Sequence, residues 1–421
     1  MNAARGAALA ALLGALLPAA AAQGMDGQPS VAEREVGSKD GRPLEDLKPE
    51  EVLDAARVGA AGEATPLPDP AAITAALQRG VDWLVAHQNP DGSWGGWKNP
   101  GPYDEFWSNI NTHKAWIVAT TGLAVMSLLE HKDNPAAMAA FDKGLQYLVQ
   151  EPVPKRPSDW DTDNTWGSVY GLDALSTVLH DGHIAGQPIE EQVRAKCEAF
   201  VEDLGNYQTP SGGWGYYDFE SLAKRPSWAT SFQTGAALVA LVGARDAGIA
   251  VPGKVVSRAM DALRRCRLAN GAYAYSIDPI PTMGLEWIDN VKGSLSRIQC
   301  CNFALLRAGA NDVSREDVLT GLDQFFEDHR FLDVARKKPI PHETYYYNSG
   351  YFYFFGHFYA ARLLETLQPA ERARYAARLA REVVKTLEPD GSMWDYAMNS
   401  YGPCYGTAFG TMTLSRTLPE R

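Results

Sequence analysis

The sequence lacks the features by which nucleic-acid-binding and nucleotide-dependent proteins are recognised. Its 421 residues include 51 Asp and Glu against 39 Lys and Arg, a formal net charge of -12. Binding to a phosphate backbone needs clustered cations, and so does attraction to an anionic membrane surface. No phosphate loop or nucleotide motif is present. The composition therefore predicts no nucleic-acid partner and no nucleotide cofactor, and membrane contact is not evident.

Cysteine is also scarce, and its spacing excludes two common kinds of site. None of the five cysteines forms a C-x-x-C pair, so neither a zinc knuckle nor a thioredoxin-type centre is predicted. A disulfide from Cys266 to Cys300 or Cys301 is one alternative. The favoured interpretation is that the cysteines are buried, inert small hydrophobes.

Only one uninterrupted apolar run stands out, and it lies at the start of the chain. Residues 7–17 are apolar, follow Arg5 and precede Ala20-Ala21-Ala22. This pattern is typical of a cleavable signal peptide over residues 1–22, and the run is too short to span a bilayer. We therefore expect a secreted or periplasmic protein. Residues 23–70 are rich in Pro, Gly and acidic residues, which predicts a flexible linker.

The remaining residues, 71–421, contain an internal repeat. The segment Gln88–Gly95 (QNPDGSWG) returns as QTPSGGWG at Gln208–Gly215, weakly at Asn270–Tyr273, and again at Glu388–Trp394. The aromatic positions 94, 214, 273 and 394 are separated by multiples of a unit of about 60 residues, a period typical of repeat architectures. Six units fit, with degenerate loops expected near positions 154 and 333, the second over Leu332 to Pro341.

Each repeat has the pattern of a helical hairpin. The first helix of a unit is amphipathic, as shown by Val81 and Leu84, whereas the second is apolar or small on all sides, as in Thr121–Val125 and Thr234–Leu238. A helix that is apolar all round must be buried. The sequence therefore predicts an all-α fold, an (α/α)6 toroid with an inner ring of buried helices. A linear helical solenoid is the alternative.

The repeated Gln-x-x-x-Gly-x-Trp segment, best seen at Gln88–Trp94, resembles the QW motif of squalene-hopene and oxidosqualene cyclases and of prenyltransferase beta subunits. The resemblance covers about the whole of residues 71–421 and implies an α/α toroid. It says less about activity, because toroids also serve lyases, hydrolases and thioester proteins. The chain departs from prenyltransferases at Cys404, where Gly402 replaces the zinc-binding Asp, so no metal is predicted. No Cys-Gly-Glu-Gln thioester motif occurs.

A second resemblance concerns catalysis. The segment Asp161-Thr162-Asp163-Asn164-Thr165 is similar to the Asp-x-Asp-Asp-Thr motif of proton-initiated terpene cyclases and precedes a predicted inner helix, as theirs does. The match implies that Asp163 is a proton donor, with Asp161 beside it. Asn164 departs from the motif at its last acidic position. The alternative is that these residues form a helix N-cap.

Other residues near the predicted starts of inner helices are candidates for binding a substrate through aromatic faces, which stabilise cations or stack on sugars. They are Trp166, Trp228, Tyr216, Tyr217, Tyr347, Tyr351, Tyr405 and His113. Tyr347, Tyr351 and Phe355 are spaced four apart, as on one helix face. His342-Glu343 could serve acid–base chemistry. Arg297 and Lys292 are candidate anion contacts, although exposed salt-bridge partners are favoured.

Three functions remain open at this point. The first is a terpene-cyclase-like enzyme that protonates an apolar polyene. The second is a carbohydrate-active lyase or hydrolase, and the third is a non-catalytic binding module. The expected ligand is accordingly a small apolar molecule or a glycan, and no cofactor is predicted. Export argues against the first function, because isoprenoids are made in the cytoplasm.

Overall fold

The computed structural model describes residues 67–96, 110–156, 163–215, 228–277, 287–398 and 400–418. The predicted signal peptide and linker residues 23–66 lie outside these ranges. The described residues form thirteen α-helices and no strand beyond isolated bridges. None of these helices is long and apolar enough to cross a membrane.

Twelve of the helices form six outer–inner pairs. The outer helices are α1 Pro70–Ala86, α3 Pro135–Gln150, α5 Ile189–Tyr207, α7 Gly253–Cys266, α9 Arg315–Glu327 and α12 Pro369–Val384. The inner helices are α2 Ile110–Leu129, α4 Thr165–Asp181, α6 Ser231–Asp246, α8 Val291–Arg307, α11 Phe352–Leu363 and α13 Tyr401–Thr417. The short helix α10, Arg330–Ala335, and the 3-10 turns Trp287–Asp289, Tyr345–Tyr347 and Leu364–Thr366 complete the described elements.

The inner helices close into a ring. Each of α2, α4, α6, α8, α11 and α13 packs against the next, and α13 packs against both α2 and α1. A linear solenoid would leave the first and last helices apart. The predicted all-α toroid is therefore confirmed, and the solenoid alternative is wrong.

The two helix classes differ in burial as their sequences predict. Inner helix α2 has 15 of its 20 residues buried, whereas outer helix α3 has 6 of 16, on one stripe. The buried stripe of α3 includes Phe141 and Leu145, which face the inner layer. An apolar stripe of this width is enough to hold an amphipathic helix on a core.

The repeated loop ties three helices together. The Gln88 side-chain amide donates to the carbonyl of Ala140 in α3, and the Trp94 indole N–H donates to the carbonyl of Leu84 in α1. The Trp94 backbone N–H donates to Thr121 in α2. Trp94 is fully buried, so its large apolar surface contributes to the core as well.

The second loop reproduces these bonds residue for residue. The Gln208 amide donates to the carbonyl of Val255, the Trp214 indole to the carbonyl of Leu204, and the Trp214 backbone N–H to Thr234. The identical pattern confirms the repeat, because each partner stands at the same place in its own unit.

The register predicted for the last loop is wrong by one residue. Met393, not Trp394, is fully buried, and its backbone N–H donates to Thr407 of α13 as that of Trp94 does to α2. Met393 also packs against Gly80 of α1, which joins the last unit to the first. Trp394 is half-buried beneath the ammonium group of Lys337, 4.1 Å from the ring centroid. Met393 is therefore the residue of the last unit that corresponds to Trp94, and Trp394 is not.

Two other expectations can be compared with the structure. Residues 152–156 form a loop, as predicted near position 154, but α10 extends to Ala335 and occupies part of the loop predicted from Leu332. All five cysteines are buried, and none forms a disulfide. The interpretation as inert core residues is confirmed, and the disulfide between Cys266 and its neighbours is wrong.

Candidate functional site

Asp163 lies immediately before inner helix α4, and its environment is not that of a helix cap. The N-cap of α4 is Asn164, and no side chain makes a capping hydrogen bond there. One carboxyl oxygen of Asp163 is buried without a hydrogen-bond partner, and the carboxyl accepts a hydrogen bond from the side chain of Trp116 in α2. The capping interpretation of Asp163 is therefore wrong.

Burial sets the protonation state of this carboxyl. Loss of hydration raises the pKa of Asp163 to about 7, and the hydrogen bond from Trp116 opposes the rise only in part. Asp163 is therefore protonated in a substantial fraction of molecules at neutral pH, which an exposed aspartate is not. A carboxyl that keeps its proton beside an apolar surface can act as a general acid.

Trp116, the hydrogen-bond partner of Asp163, contacts an imidazole group of its own helix α2 and an aromatic ring of α13. The ring of Trp116 lies 5.4 Å from that of Tyr401 in α13 and 5.4 Å from that of His113 in α2. The His113 ring nitrogen Nδ1 is 3.0 Å from the Tyr401 hydroxyl. The structure thus brings predicted residue His113 into the Asp163 cluster, at the starts of α2, α4 and α13.

A series of aromatic side chains in mutual contact begins at Trp166, three residues after Asp163, and continues between the inner helices. Trp166 lies parallel to Tyr170 at 5.5 Å, Tyr170 contacts Phe409 at 5.7 Å, and Phe409 contacts Phe358 at 4.9 Å. Tyr170, Phe358 and Phe409 are buried. The core beyond Asp163 is therefore rich in aromatic rings, the faces of which attract positive charge.

A second aromatic group lies at the starts of α6, α8 and α11. The Tyr275 ring is 6.1 Å from Trp228, 5.5 Å from Phe232 and 5.4 Å from the His342 ring. The Tyr351 hydroxyl lies 3.1 Å from His342 Nε2. Predicted residues Trp228 and Tyr351 therefore belong to one cluster, which sequence spacing alone did not connect.

Two of the predicted residues have other roles or positions. Tyr347 is half-exposed, at 51 %, in a 3-10 turn with a positive φ, and it does not share a helix face with Tyr351 and Phe355, because α11 begins at Phe352. The Tyr405 hydroxyl donates to Asp395 at 2.7 Å. Asp161, Tyr216 and Tyr217 lie outside the described residues.

The sequence interpretation missed Asp395. Its carboxyl is fully buried, accepts hydrogen bonds from the Phe354 backbone N–H at 2.9 Å and from Tyr405, and has its pKa raised to about 7 by burial. Both oxygens are engaged, so this carboxyl joins α11 to α13. The signal was the same as for Asp163, an acidic residue shortly before an inner helix.

Arg297 is a correction. The favoured expectation was an exposed salt-bridge partner, but Arg297 is only 1 % exposed. It projects from α8 toward the start of that helix, where its guanidinium donates to the carbonyls of Tyr273 and Ile288. Helical spacing marked its position, but not the direction in which a long side chain folds back.

One cluster outside the ring interior has the composition of a metal site. His329, Asp333 and Glu382 place one potential ligand atom each within 4.8 Å of one another. However, the Lys385 ammonium group lies 2.9 Å from Asp333 and also contacts Glu382, while Arg381 lies 3.1 Å from Glu382. These cations already balance the carboxylates, so we assign the cluster to the packing of α10 and α12.

Comparison with known proteins agrees with the fold. Residues 67–172, about a quarter of the chain, match the family model of the squalene-hopene cyclase C-terminal domain. This range includes both the Gln88–Trp94 loop and Asp163. No curated protein matches the chain.

Solved structures with the same architecture differ in activity. D-mannose isomerase is 13% identical, with a TM-score of 0.52 over 85% of this chain and 99% of that chain. An inactive variant of alpha-1,6-mannanase from Salegentibacter, in complex with alpha-1,6-mannotetrose, is 9% identical, with a TM-score of 0.51 over 82% and 98%. A type II terpene cyclase from Scytonema is 14% identical, with a TM-score of 0.44 over 82% and 97%.

Of the three structures just described, the isomerase and the mannanase have TM-scores above 0.5, and their similarity shows the toroid fold and nothing about the reaction. The family model covers the repeat loop on which the sequence resemblance was based. The chain is therefore an α/α toroid in which residues 67–172 are similar to the squalene-hopene cyclase C-terminal domain.

Proposed function

We propose that the protein is a terpene-cyclase-like enzyme that uses Asp163 to protonate an apolar polyene. The observation that carries this proposal is the carboxyl of Asp163, which belongs to a half-buried residue at the start of an inner helix, has its pKa raised to about 7 by loss of hydration and has one buried oxygen without a hydrogen-bond partner. A structural carboxyl would be expected to have its oxygens satisfied, as those of Asp395 are.

The chemistry requires one proton transfer and a cation-stabilising wall. The Asp163 O–H bond breaks and a C–H bond forms at one carbon of a terminal alkene, which leaves a carbocation on its more substituted carbon. The π-electrons of further alkenes then close rings, and loss of a proton from the last cation restores a neutral product. The faces of Trp166 and Tyr170 would stabilise the cations. The Asp163 carboxylate recovers its proton from water, so the net reaction is an isomerisation.

A glycoside hydrolase is less well supported by the described residues. That reaction uses two carboxyl groups on either side of the glycosidic bond. Asp395 is buried with both oxygens engaged, and Asp289 accepts the Tyr275 backbone N–H at 2.6 Å. Neither is placed as an available partner for Asp163. Export, which we retain as a proposal, would require that the polyene reach the protein outside the cytoplasm.

The proposal is tested by incubating the protein with linear isoprenoids of different length and identifying cyclised products by mass spectrometry. Wild-type protein should form a cyclic isomer, and Asp163→Asn should reduce turnover by more than about a hundredfold, as expected when a general acid is lost. Asp203→Asn is the matched control. Burial also raises the pKa of Asp203, to about 6, but Asp203 lies on outer helix α5, where its carboxylate accepts a hydrogen bond from the Ser168 hydroxyl. If both variants turn over at the wild-type rate, Asp163 is not the proton donor.

A further inference from the structure

The buried guanidinium of Arg297 is not fully hydrogen-bonded within the described part of the protein. Its Nε and Nη2 atoms donate to backbone carbonyls, whereas Nη1 is buried without a hydrogen-bond partner. No ion pair joins Arg297 to any carboxylate of the described residues. Asp289 is near enough for its charge to favour the charged guanidinium, but it forms no ion pair with Arg297, and its Oδ1 accepts the Tyr275 backbone N–H. Burying a cation in this way is strongly unfavourable unless something compensates it.

The surroundings of Arg297 are those of a recognition site rather than of a plain core. The guanidinium carbon lies 5.2 Å from the Tyr275 ring centroid and 5.8 Å from that of Phe352. The hydroxyls of Tyr275 and Tyr351 both lie near His342 Nε2, at 3.4 and 3.1 Å. His342 Nδ1 donates to the Tyr347 carbonyl at 2.6 Å, so Nε2 carries the lone pair and accepts from Tyr351, the nearer of the two hydroxyls.

The loop that presents His342 is strained. Lys337, His342, Tyr346 and Tyr347 all have φ between +54° and +68°, a conformation that L side chains rarely adopt. Strain of this kind persists only where the surrounding structure holds it, and it concentrates at binding and catalytic sites. An imidazole and two phenolic hydroxyls are therefore held in a fixed place beside a buried arginine.

We infer that this cluster, formed by Arg297, His342, Tyr275 and Tyr351, binds a carboxylate at one end of an otherwise apolar substrate. The inference rests on the proposed function and adds to it that the polyene is an isoprenoid acid. The phenolic hydroxyls would turn from His342 Nε2 to the carboxylate, and Arg297 would supply the opposite charge behind the Tyr275 ring. A wholly apolar polyene carries no group that a guanidinium could bind.

Binding of two probes that differ only at one end tests the inference. Geranylgeranoic acid and geranylgeraniol have the same polyene, and the Asp163→Asn variant allows their affinities to be measured by calorimetry at pH 8 without turnover. The acid should bind at least about tenfold more tightly than the alcohol, the size of effect expected of a charge-assisted contact. Arg297→Met should abolish this preference and leave the affinity for the alcohol unchanged, while Arg297→Lys should retain part of it.

Arg258→Met is the matched control, because Arg258 also donates to two backbone carbonyls but lies on outer helix α7. It should retain the preference for the acid. Should Arg297→Met fail to fold, as judged by thermal melting, Tyr351→Phe removes one hydroxyl from the same cluster and should lower the preference several-fold. Equal affinity of the parent protein for acid and alcohol would overturn the inference and leave the proposed function standing. Binding of neither probe would overturn both.

Discussion

Replacing Asp163 with Asn should change how the stability of the protein depends on pH. The pKa of Asp163 is about 7 in the folded protein and 3.8 for an ordinary aspartate. The folded state therefore keeps a proton that the unfolded state releases, and the stability associated with that proton is present below about pH 4 and lost as the pH rises to about 7. At about 1.4 kcal/mol per pKa unit, the whole effect is about 4 kcal/mol, and the part between pH 5 and pH 8 is about 2–3 kcal/mol.

Urea unfolding of wild-type protein and Asp163→Asn at pH 5 and pH 8 measures this effect. Every other titrating group is common to both proteins, so the difference between their unfolding free energies isolates Asp163. Wild type should lose about 2–3 kcal/mol relative to the variant on going from pH 5 to pH 8. A difference that is the same at both pH values would mean that Asp163 has an ordinary pKa. The carboxyl would then be ionised at neutral pH, and the argument for a proton donor would fail.

Two further predictions concern other parts of the chain. In Gly144→Ala the new Cβ would lie 2.7 Å from the Trp94 ring, so the free energy of unfolding should fall by about 1–3 kcal/mol. In the control Gly205→Ala a Cβ meets nothing within 4 Å, and the free energy of unfolding should rise by about 0.5–1 kcal/mol from helix propensity. Equal effects of the two substitutions would contradict the packing of the repeat loop. The mature protein should begin near Gln23 when it is exported, and intact-mass measurement that finds Met1 retained would contradict the signal peptide.

The helical repeat was predictable from the sequence because its loops carry the same residues in the same order. The amides of Gln88 and Gln208 each donate to the carbonyl of the glycine four residues later, a bond that depends on local chain geometry. The register of the last unit was not predictable by matching indoles. The position along the loop decides which side chain is buried. In the last unit the buried position is occupied by Met393, and Trp394 is the residue that follows it.

The site was predictable only where its residues are close in sequence to a recognisable motif. Asp163 was found through its resemblance to a known segment, whereas its hydrogen-bond partner Trp116 stands on the neighbouring inner helix α2, and Tyr401 of α13 joins them only because the ring closes. The position of Arg297 was noticed, but not its burial. A side chain with four rotatable bonds can point to solvent or back along its helix, and the sequence does not distinguish these directions.

The most direct test of the central claim, that Asp163 delivers a proton to the substrate, is a reaction in deuterated water. A carboxyl exchanges its proton with solvent, so each cyclised product made by wild-type protein in D2O should carry one deuterium at the carbon that was protonated. Mass spectrometry should find a product one mass unit heavier than that formed in ordinary water. Cyclic product that contains no deuterium, or undiminished formation of labelled product by Asp163→Asn, would contradict the account.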